Sequence, residues 1–299
     1  CAGAEACARG RAQIGEHEGR MIGKQVQACN RNNITIHIIT VIYNRRICEI
    51  RSLPQFQAMI GRHPEITLII ADNSTEESIL EQNREVASQR SWLRYIECGG
   101  NIGLSRAYNR AIATIPQDAR YWVMFADDDT WFSLEYLENA HRYLCGIHGS
   151  GAYNAHGDAA CGASGDAGGD AHGHRAGDAA GRRRIPLQMM CGVVETESGW
   201  ISPRSEHAKE LAFSMFLRRP KPGIYRDLYP INSGFFLAGS ALREVGGFDE
   251  RLFLDQVDFL MMDRLRAHGI RKIGVLPGEI RQSFSGDLRK LISGEQGQS

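Results

Sequence analysis

The stretch Tyr121-Trp-Val-Met-Phe-Ala-Asp-Asp-Asp-Thr130 decides the fold, because an apolar run ends there in three consecutive carboxylates. Aromatic and β-branched residues closed by a polar cluster predict a buried strand of an α/β sheet. Open α/β sheets bind ligands outside the carboxyl ends of their strands. We therefore expect Asp127, Asp128 and Asp129 to lie at a ligand crevice.

The charge of this cluster indicates a cationic ligand. No basic residue stands among the three aspartates to neutralise them. Mg²⁺ and Mn²⁺ prefer carboxylate oxygens and commonly share their coordination shell with substrate phosphates, which favours a divalent cation carrying a diphosphate. The alternative interpretation is an acidic helix N-cap, with Asp129 or Thr130 capping a helix that starts near Ser133.

The composition predicts a soluble globular chain. Its 299 residues are 42% hydrophobic and include 35 basic and 35 acidic residues, so a sizeable core can form. Zero formal net charge gives no electrostatic case for nucleic acid as a partner. The longest apolar stretch, 34–43, is interrupted by polar residues and is too short to cross a bilayer.

The eight cysteines are dispersed and form no C-x-x-C pair. This pattern indicates neither a zinc ribbon nor a dithiol redox motif. A reducing cytosol is the simplest interpretation and predicts a cytoplasmic location, while a disulfide is the alternative.

Strand and helix patterns alternate from residue 34 to residue 144, which predicts a mostly parallel central sheet flanked by helices. The predicted strands are 34–43, 66–71, 93–97 and 121–126. One helix is predicted from Pro54 to near Gly61, and three more at 76–89, 104–115 and 133–144. Further along, strands are predicted at 186–194, 231–239 and 271–276, and helices at 206–217, 241–245 and 253–268.

Three segments differ from this pattern. Residues 1–33 lack periodicity and are expected to be a poorly ordered leader, and residues 287–299 form a polar tail. Residues 145–185 are dominated by Gly and Ala, cannot bury enough apolar area to offset their ordering entropy, and are expected to be a disordered insertion. Metal binding by the histidines of this insertion is an alternative, but it lacks a fixed ligand spacing.

Several short motifs occur in order along the chain. They are Tyr43-Asn44-Arg45, Asp72-Asn-Ser, Gly100-Asn-Ile-Gly103, Arg106-Ala-Tyr-Asn109, Asp127-Asp-Asp129, Gly246-Gly-Phe-Asp-Glu250 and Leu254-Asp-Gln-Val-Asp258. As an ordered set they resemble the family 2 inverting glycosyltransferases of the GT-A fold, particularly rhamnosyltransferase-like enzymes.

The resemblance implies one GT-A domain over residues 34–286, with a Rossmann-like α/β fold for nucleotide-diphospho-sugar transfer. Residues 34–144 would bind the nucleotide sugar, 145–185 would be the insertion, and 186–286 would form the acceptor and catalytic half.

The resemblance also implies a donor-binding set, with Tyr43 and Asp72 at the base of the nucleotide and Asp128 near the ribose or the metal. The implied donor-binding residues are Tyr43, Asn44, Asp72, Asn101, Arg106, Asn109, Asp127 and Asp128. The alternatives are structural: a strand-end aromatic for Tyr43, an Asx turn for Asp72, and helix capping or an exposed helix face for the others.

The same resemblance implies a D-x-D pair, Asp127 and Asp129, that binds Mg²⁺ or Mn²⁺. Many family members have a His near the end of this domain that completes the metal shell, and this chain has Gln282 there. A glutamine carbonyl oxygen can still bind a hard cation.

Asp258 falls on the aspartate of the family's E-D motif, which implies that it is the general base, whereas Val257 occupies the Glu position. Asp255 lies three residues earlier and would share a face with Asp258 if the helix included both. The alternative for both residues is an acidic helix N-terminus.

The implied activity is metal-dependent transfer of a sugar, with inversion, from a UDP- or dTDP-sugar to a saccharide or lipid-linked acceptor in surface polysaccharide or glycolipid synthesis. A lipid-linked acceptor would bring the protein to the inner membrane face, where the basic loop 218–221 could make peripheral contact. The alternative for this loop, and the favoured one, is an ordinary solvated loop. Val257, Gln282 and the insertion leave a degenerate, non-catalytic carbohydrate-binding protein as the alternative. A sugar nucleotidyltransferase is less favoured, because Tyr43-Asn44-Arg45-Arg46 lacks the glycines of a phosphate loop.

Overall fold

The structure is a computed structural model that describes residues 34–117, 120–146, 187–205 and 219–283. The predictions for the leader, for nearly all of the insertion, for the helix at 206–217 and for the tail lie outside these residues.

An eight-stranded sheet forms the centre of the fold. Its order is β3-β2-β1-β4-β12-β6-β13-β10, and the first four strands are parallel. Strand β12 is antiparallel to both neighbours, β6 and β13 are parallel to each other, and β10 is antiparallel to β13. The strands of this sheet are β1 (Ile34–Ile42), β2 (Ile66–Asp72), β3 (Leu93–Glu97), β4 (Arg120–Phe125), β6 (Met189–Cys191), β10 (Gly223–Arg226), β12 (Phe235–Ala238) and β13 (Lys272–Val275).

Two smaller sheets lie beside the main one. The first has the order β5-β14-β7-β8, and the second pairs β9 with β11. Their strands are β5 (Thr130–Phe132), β7 (Val194–Thr196), β8 (Gly199–Ser202), β9 (Arg204–Ser205), β11 (Leu228–Tyr229) and β14 (Ile280–Gln282).

Six helices flank the sheets in the described residues: α1 (Leu53–Arg62), α2 (Glu77–Ser88), α3 (Leu104–Ala113), α4 (Leu134–Leu144), α5 (Gly239–Val245) and α6 (Val257–Ala267). Pro54 lies in the first turn of α1, where its missing N–H costs no hydrogen bond. The α/β class with mostly parallel central strands is confirmed.

The core consists of apolar side chains on both faces of the parallel strands. Ile39, Ile69 and Val123 are buried on one face, and their chain neighbours Ile38, Leu68 and Met124 are buried on the other. Burial on both faces explains why these strands appear in the sequence as continuous apolar runs.

Several predicted boundaries are wrong. The helix after the aspartates is capped by Ser133, whose Oγ accepts a hydrogen bond from the Tyr136 N–H at 3.2 Å, so the acidic N-cap interpretation is incorrect. Thr130 instead begins β5. The helix predicted at 253–268 begins only at Val257, because Gln256 adopts the left-handed conformation with φ 61°.

Two strands predicted in the second half are shorter than expected. The strand predicted at 231–239 is limited to β12, because Gly234 turns the chain with φ 86°. The strand predicted at 186–194 is divided between β6 in the main sheet and β7 in a smaller one.

Two expectations from composition can be compared with the described residues. Among them, no helix has both the length and the apolar character needed to cross a membrane. Cys48, Cys98 and Cys191 are free, whereas Cys145 is disulfide-bonded. For Cys145 the disulfide alternative therefore holds.

Buried His37 on β1 makes the stability of the fold depend on pH. Burial, together with a smaller contribution from the nearby charge of Arg94, lowers the pKa of His37 to about 4. In the unfolded chain a histidine titrates near ~6.5, so the unfolded state binds more protons between these two values. We expect the free energy of unfolding to fall as the pH decreases from about 6.5 to about 4, by at most ~3 kcal/mol from this residue.

Urea denaturation at several pH values, with wild type compared to His37→Leu, measures this contribution. The variant should lose less stability than wild type over that pH range. The exposed His268 provides the control, since His268→Gln should keep the wild-type pH dependence. Equal slopes in wild type and His37→Leu would contradict the prediction.

Candidate active site

The three aspartates follow β4 at the carboxyl edge of the parallel strands, where a ligand crevice was predicted. Hydrogen bonds from the two residues before α1 fix the backbone of this loop. The Arg51 N–H donates to the Asp128 carbonyl at 2.9 Å, and the Ser52 hydroxyl donates to the Thr130 carbonyl at 2.8 Å. The aspartates are thus held by main-chain contacts that do not use their carboxylates.

Gln282 meets two of the aspartates because β14 pairs with β5. The antiparallel register places Gln282 opposite Thr130. Its Nε2 donates to Asp127 Oδ2 at 3.3 Å and to Asp129 Oδ1 at 3.2 Å. The structure therefore brings together the three residues that the sequence resemblance implies as metal ligands.

This donor set fits a hard divalent cation. Gln282 Oε1 is buried and has no hydrogen-bond partner among the described residues. Exchange of the amide oxygen and nitrogen, which ordinary structures do not distinguish, would direct this oxygen to the place between the carboxylates of Asp127 and Asp129. Two carboxylates and one amide oxygen are ligands that Mg²⁺ and Mn²⁺ prefer.

The electrostatics of the loop also favour a cation. The pKa of Asp127 is raised to about 7, mainly by burial and further by the neighbouring carboxylates, although a hydrogen bond from Ser233 acts in the opposite direction. Burial likewise raises the pKa of Asp128 to about 6, and the charge of Arg45 opposes this rise. Like charges in a desolvated place do not ionise together readily. A bound cation would stabilise the ionised forms of Asp127 and Asp128.

Two residues for which no role was predicted contact the aspartates. Arg45 Nη1 lies 3.2 Å from Asp128 Oδ1, and the hydroxyl of buried Ser233 donates to Asp127 Oδ2. Arg45 belongs to the Tyr43-Asn44-Arg45 motif at the end of β1, so the sequence could have indicated that it lies near the site. Ser233 precedes β12, and no local pattern indicates that this strand lies beside β4.

The end of β1 carries the first two residues of the implied donor site. The Tyr43 side chain is 51% exposed, which leaves its ring accessible. Asn44 has φ 46° and its Oδ1 accepts hydrogen bonds from the Thr75 N–H at 2.8 Å and the Glu76 N–H at 3.3 Å. Asn44 thus connects the end of β1 to the loop that follows β2.

Asp72 is fully buried at the end of β2. Its Oδ1 accepts from the Ser74 N–H at 2.9 Å, which is the Asx turn that the sequence also allowed. Its Oδ2 accepts from Asn83 Nδ2 at 2.8 Å and from the Tyr95 hydroxyl at 2.7 Å. The carboxylate is used to organise the loop, so a contact with a donor base would require rearrangement.

Asn101, Arg106 and Asn109 lie at the start of α3 and on its surface. Asn101 Oδ1 accepts from Asn73 Nδ2 at 2.9 Å. Asn109 makes two hydrogen bonds of 2.9 Å with the backbone of Phe248. Arg106 is exposed and lies 3.9 Å from Glu250. The described contacts of Arg106 and Asn109 are thus with the loop 246–250 and not with the aspartates.

A cavity of about 860 Å³ lies between α3 and α5 and is lined partly by Arg106, Asn109 and Glu250. None of the three aspartates lines it. We place the candidate active site at the aspartates, because the converging ligands are there.

The two predicted catalytic aspartates lie on either side of the beginning of α6. Asp258 is in the first helical turn, is partly buried, and is close enough for its charge to raise the pKa of Asp127. Asp255 is exposed and precedes the helix. Asp255 and Asp258 therefore do not lie on the same helix, as a shared helical face would require.

Tyr108 also lies near these carboxylates, although no role was predicted for it. Its side chain is fully buried, and its ring centroid lies 4.9 Å from that of Phe248 and 5.0 Å from that of Phe125. Burial raises the pKa of Tyr108 well above its usual value, and the charges of Asp127 and Asp258 contribute to the rise. The motif residue next to Asn109 thus packs beneath the site.

Comparison with known proteins agrees with this architecture. Residues 37–150, less than half of the chain, match the family model described as glycosyl transferase family 2. Among curated proteins no match was found.

Similar solved structures share the GT-A-like α/β fold. GalNAc-T7 crystallised with UDP, GalNAc and Mn²⁺ is 13% identical with a TM-score of 0.53, over 84% of this chain and 44% of that one. S. aureus TarS is 15% identical with a TM-score of 0.52, over 87% of this chain and 39% of that one. A 1–349 fragment of TarS is 14% identical with a TM-score of 0.51, over 86% of this chain and 63% of that one. The chain thus spans less than two thirds of each of them.

The contact between Gly247 and Asn109 permits a direct test of how the loop is positioned. Gly247 has φ 78°, and a Cβ added there would lie 2.7 Å from Asn109 Oδ1. Gly269 has φ 80° and no atom within 4 Å of such a Cβ. Gly247→Ala should therefore combine left-handed strain with a clash and destabilise by ~2–4 kcal/mol, whereas Gly269→Ala should cost only ~1 kcal/mol.

Denaturant midpoints of the two variants measure this difference. Adding Asn109→Ala to each variant provides the control, since it should reduce the cost of Gly247→Ala but not that of Gly269→Ala. Equal destabilisation by the two glycine substitutions would show that the close contact does not constrain the loop.

Proposed function

We propose that this chain, whose family 2 match and GT-A-like fold support a glycosyl transfer role, is a metal-dependent inverting glycosyltransferase. The observation that carries the proposal is the convergence of Asp127, Asp129 and Gln282 at the carboxyl edge of the sheet. Asp258, whose charge acts on Asp127, is proposed as the residue that acts on the acceptor. The donor is a nucleotide-diphosphate sugar.

The reaction is a single displacement. The Asp258 carboxylate accepts the proton of an acceptor hydroxyl as the hydroxyl oxygen attacks the anomeric carbon. The new glycosidic bond forms on the face opposite the diphosphate, whose bond to that carbon breaks with both electrons remaining on the phosphate oxygen. The anomeric configuration is therefore inverted.

Mg²⁺ or Mn²⁺ bound by Asp127, Asp129 and Gln282 would stabilise the negative charge that develops on the leaving diphosphate. Ser233 donates to Asp127 and fixes its orientation. Arg45 Nη1 lies 3.2 Å from Asp128 Oδ1 and partly neutralises this carboxylate. Each neighbour thus has a distinct role in positioning the site.

The exposed ring of Tyr43 supplies a stacking surface for the donor base at the end of β1. Asn44, Asp72 and Asn101 support the surrounding loops through the hydrogen bonds described above. Arg106 and Asn109 act through the loop 246–250. The donor site is thus proposed to be centred on Tyr43 and Asp128, and the other residues support the loops around them.

The finer assignments rest on the sequence resemblance. They are hexosyl or rhamnosyl transfer from a UDP- or dTDP-sugar, a saccharide or lipid-linked acceptor, and a role in surface polysaccharide or glycolipid synthesis. The cytoplasmic location rests on the dispersed cysteines, and the disulfide of Cys145 counts against it. Peripheral contact with the inner membrane face would involve the basic loop 218–221. Arg219 of that loop forms an ion pair with Glu195 at 2.8 Å, which leaves less of its charge for lipid headgroups.

A donor screen tests the proposed reaction. The full chain is incubated with Mn²⁺ or Mg²⁺, an acceptor mixture and a panel of UDP-, dTDP- and GDP-sugars, and release of nucleoside diphosphate is measured. One donor should give metal-dependent release that falls by at least ~100-fold in Asp129→Ala. Exposed Glu81 on α2 provides the control, since Glu81→Ala should retain the activity.

Three outcomes would contradict the proposal. Release without added metal after chelation would remove the cation from the mechanism. A product that retains the anomeric configuration of the donor, seen by NMR, would exclude single displacement. If no donor is cleaved and calorimetry detects no metal-dependent nucleotide binding, the chain is a degenerate, non-catalytic protein.

Replacement of Asp258 tests the general base. Asp258→Asn removes the proton acceptor and should lower the transfer rate by at least ~100-fold, because general-base catalysis contributes about that much. The calorimetric affinity for the donor with metal should change little. Asp255→Asn, in the exposed segment before α6, should lower the rate less; full transfer activity in Asp258→Asn would exclude that residue as the base.

A further inference from the structure

Two histidines and two glutamates meet at the amino end of β2, at the opposite end of the sheet from the aspartates. His63 follows the last residue of α1, and Glu65 immediately precedes β2. Glu138 and His141 lie about one turn apart on α4. The cluster therefore joins the turn between α1 and β2 to the helix that follows the aspartate loop.

The distances in this cluster are those of groups that could share an ion. His63, Glu138 and His141 each offer a ligand atom, and these atoms all lie within 4.8 Å of one another. His63 Nε2 lies 3.4 Å from Glu138 Oε2. Two ligands on a tetrahedral zinc ion, with bonds of ~2.0–2.1 Å, are separated by about the same distance, ~3.4 Å.

One nitrogen atom of the cluster, on His63, is available to a ligand. His63 Nε2 is buried and makes no hydrogen bond with the described residues, although a carboxylate is within ion-pair distance. The imidazole rings of His63 and His141 lie with their centroids 3.7 Å apart, closer than the ~5 Å of two imidazoles on one tetrahedral ion, so one ring must rotate for both to bind the same ion. Two nitrogens and a carboxylate are thus brought together in a half-buried place, and the other oxygen of Glu138 pairs with Arg62 Nη1 at 3.0 Å.

Glu65 has a different part in the cluster. Its Oε1 lies 2.6 Å from Nε2 of the buried His141. Carboxylates commonly hold metal-binding histidines in this way and fix the orientation of the ring. Cys145 Sγ lies 3.4 Å from His141 Nε2, but we do not count it as a ligand because it is disulfide-bonded.

We propose that His63, Glu138 and His141 bind a divalent transition-metal ion, Zn²⁺ by the type of its ligands, and that Glu65 orients His141. Imidazole nitrogens favour Zn²⁺, whereas the oxygen ligands at Asp127 and Asp129 favour Mg²⁺ or Mn²⁺. The two centres lie at opposite ends of the sheet and select different ions. An ion at the histidines would cross-link the α1–β2 turn to α4 and has no part in the proposed reaction.

Cobalt substitution tests this site separately from the aspartates. The chelator-treated full chain is titrated with Co²⁺, the visible absorption of four-coordinate Co²⁺ is followed, and Zn²⁺ is then added as competitor. Wild type should bind one Co²⁺ that Zn²⁺ displaces. His63→Gln and Glu138→Gln should each weaken binding tenfold or more, while Asp129→Ala and the surface control His268→Gln should bind as wild type does.

The histidines between residues 147 and 186 are present in every variant and therefore cannot produce the difference. Thermal unfolding without metal checks that His63→Gln and Glu138→Gln are folded. Zn²⁺ should raise the melting temperature of wild type and of Asp129→Ala but not that of the two ligand variants. Unchanged Co²⁺ affinity in the ligand variants, or no binding by wild type, would show that the cluster is only a set of histidine–carboxylate hydrogen bonds.

Discussion

The pairing of β4 with β1 on one side and β12 on the other is the constraint on which the candidate site depends. β4 is parallel to β1 and antiparallel to β12, so it joins the parallel half of the sheet to the mixed half. Phe125 pairs with Phe235, and the Gly234 N–H donates to the Phe125 carbonyl at 2.8 Å. This register places Ser233 beside Asp127, which lies two residues after the end of β4.

The carboxylates that follow β4 destabilise the fold, whereas the buried apolar strand itself stabilises it. Each is partly or wholly removed from water, and burial is the main reason that the pKa values of Asp127 and Asp128 rise. Arg45, Ser233 and Gln282 offset part of this cost, yet one arginine cannot neutralise three acidic groups. Such a loop is retained at a cost to stability, as is common where a binding site needs concentrated charge.

Much of the first half could be predicted from local sequence. The main-sheet strands and the α-helices between residues 34 and 144 follow from apolar periodicity, which is a short-range signal, and the aspartates directly follow one of those strands. The short strand β5 carries no such signal. The start of α6 was misplaced because the left-handed conformation of Gln256 is unusual for a residue with a side chain and leaves no compositional mark. Asp72 and Asn109 belong to motifs that the sequence shows, but their hydrogen bonds to the surrounding loops could only be seen in three dimensions.

The contacts that could not be predicted are those made by strand pairing between distant parts of the chain. Ser233 meets Asp127 because β12 adds to β4, and no periodicity specifies that neighbour. Gln282 was implied only by the family resemblance, since its position depends on β14 crossing to β5. Arg45 was quoted as part of a motif, although its ion pair with Asp128 depends on where two separate strand ends meet.

Because β14 belongs to the small sheet with β5 and β7, the last proposed cation ligand is not part of the eight-stranded sheet. Short strands in small sheets open by local unfolding more readily than central strands do. Gln282 could therefore leave the aspartates while β1, β2 and β4 stay paired. Exchange of amide hydrogens in β14 would then be faster than in β4, and cation release would follow the opening of one short strand, without global unfolding.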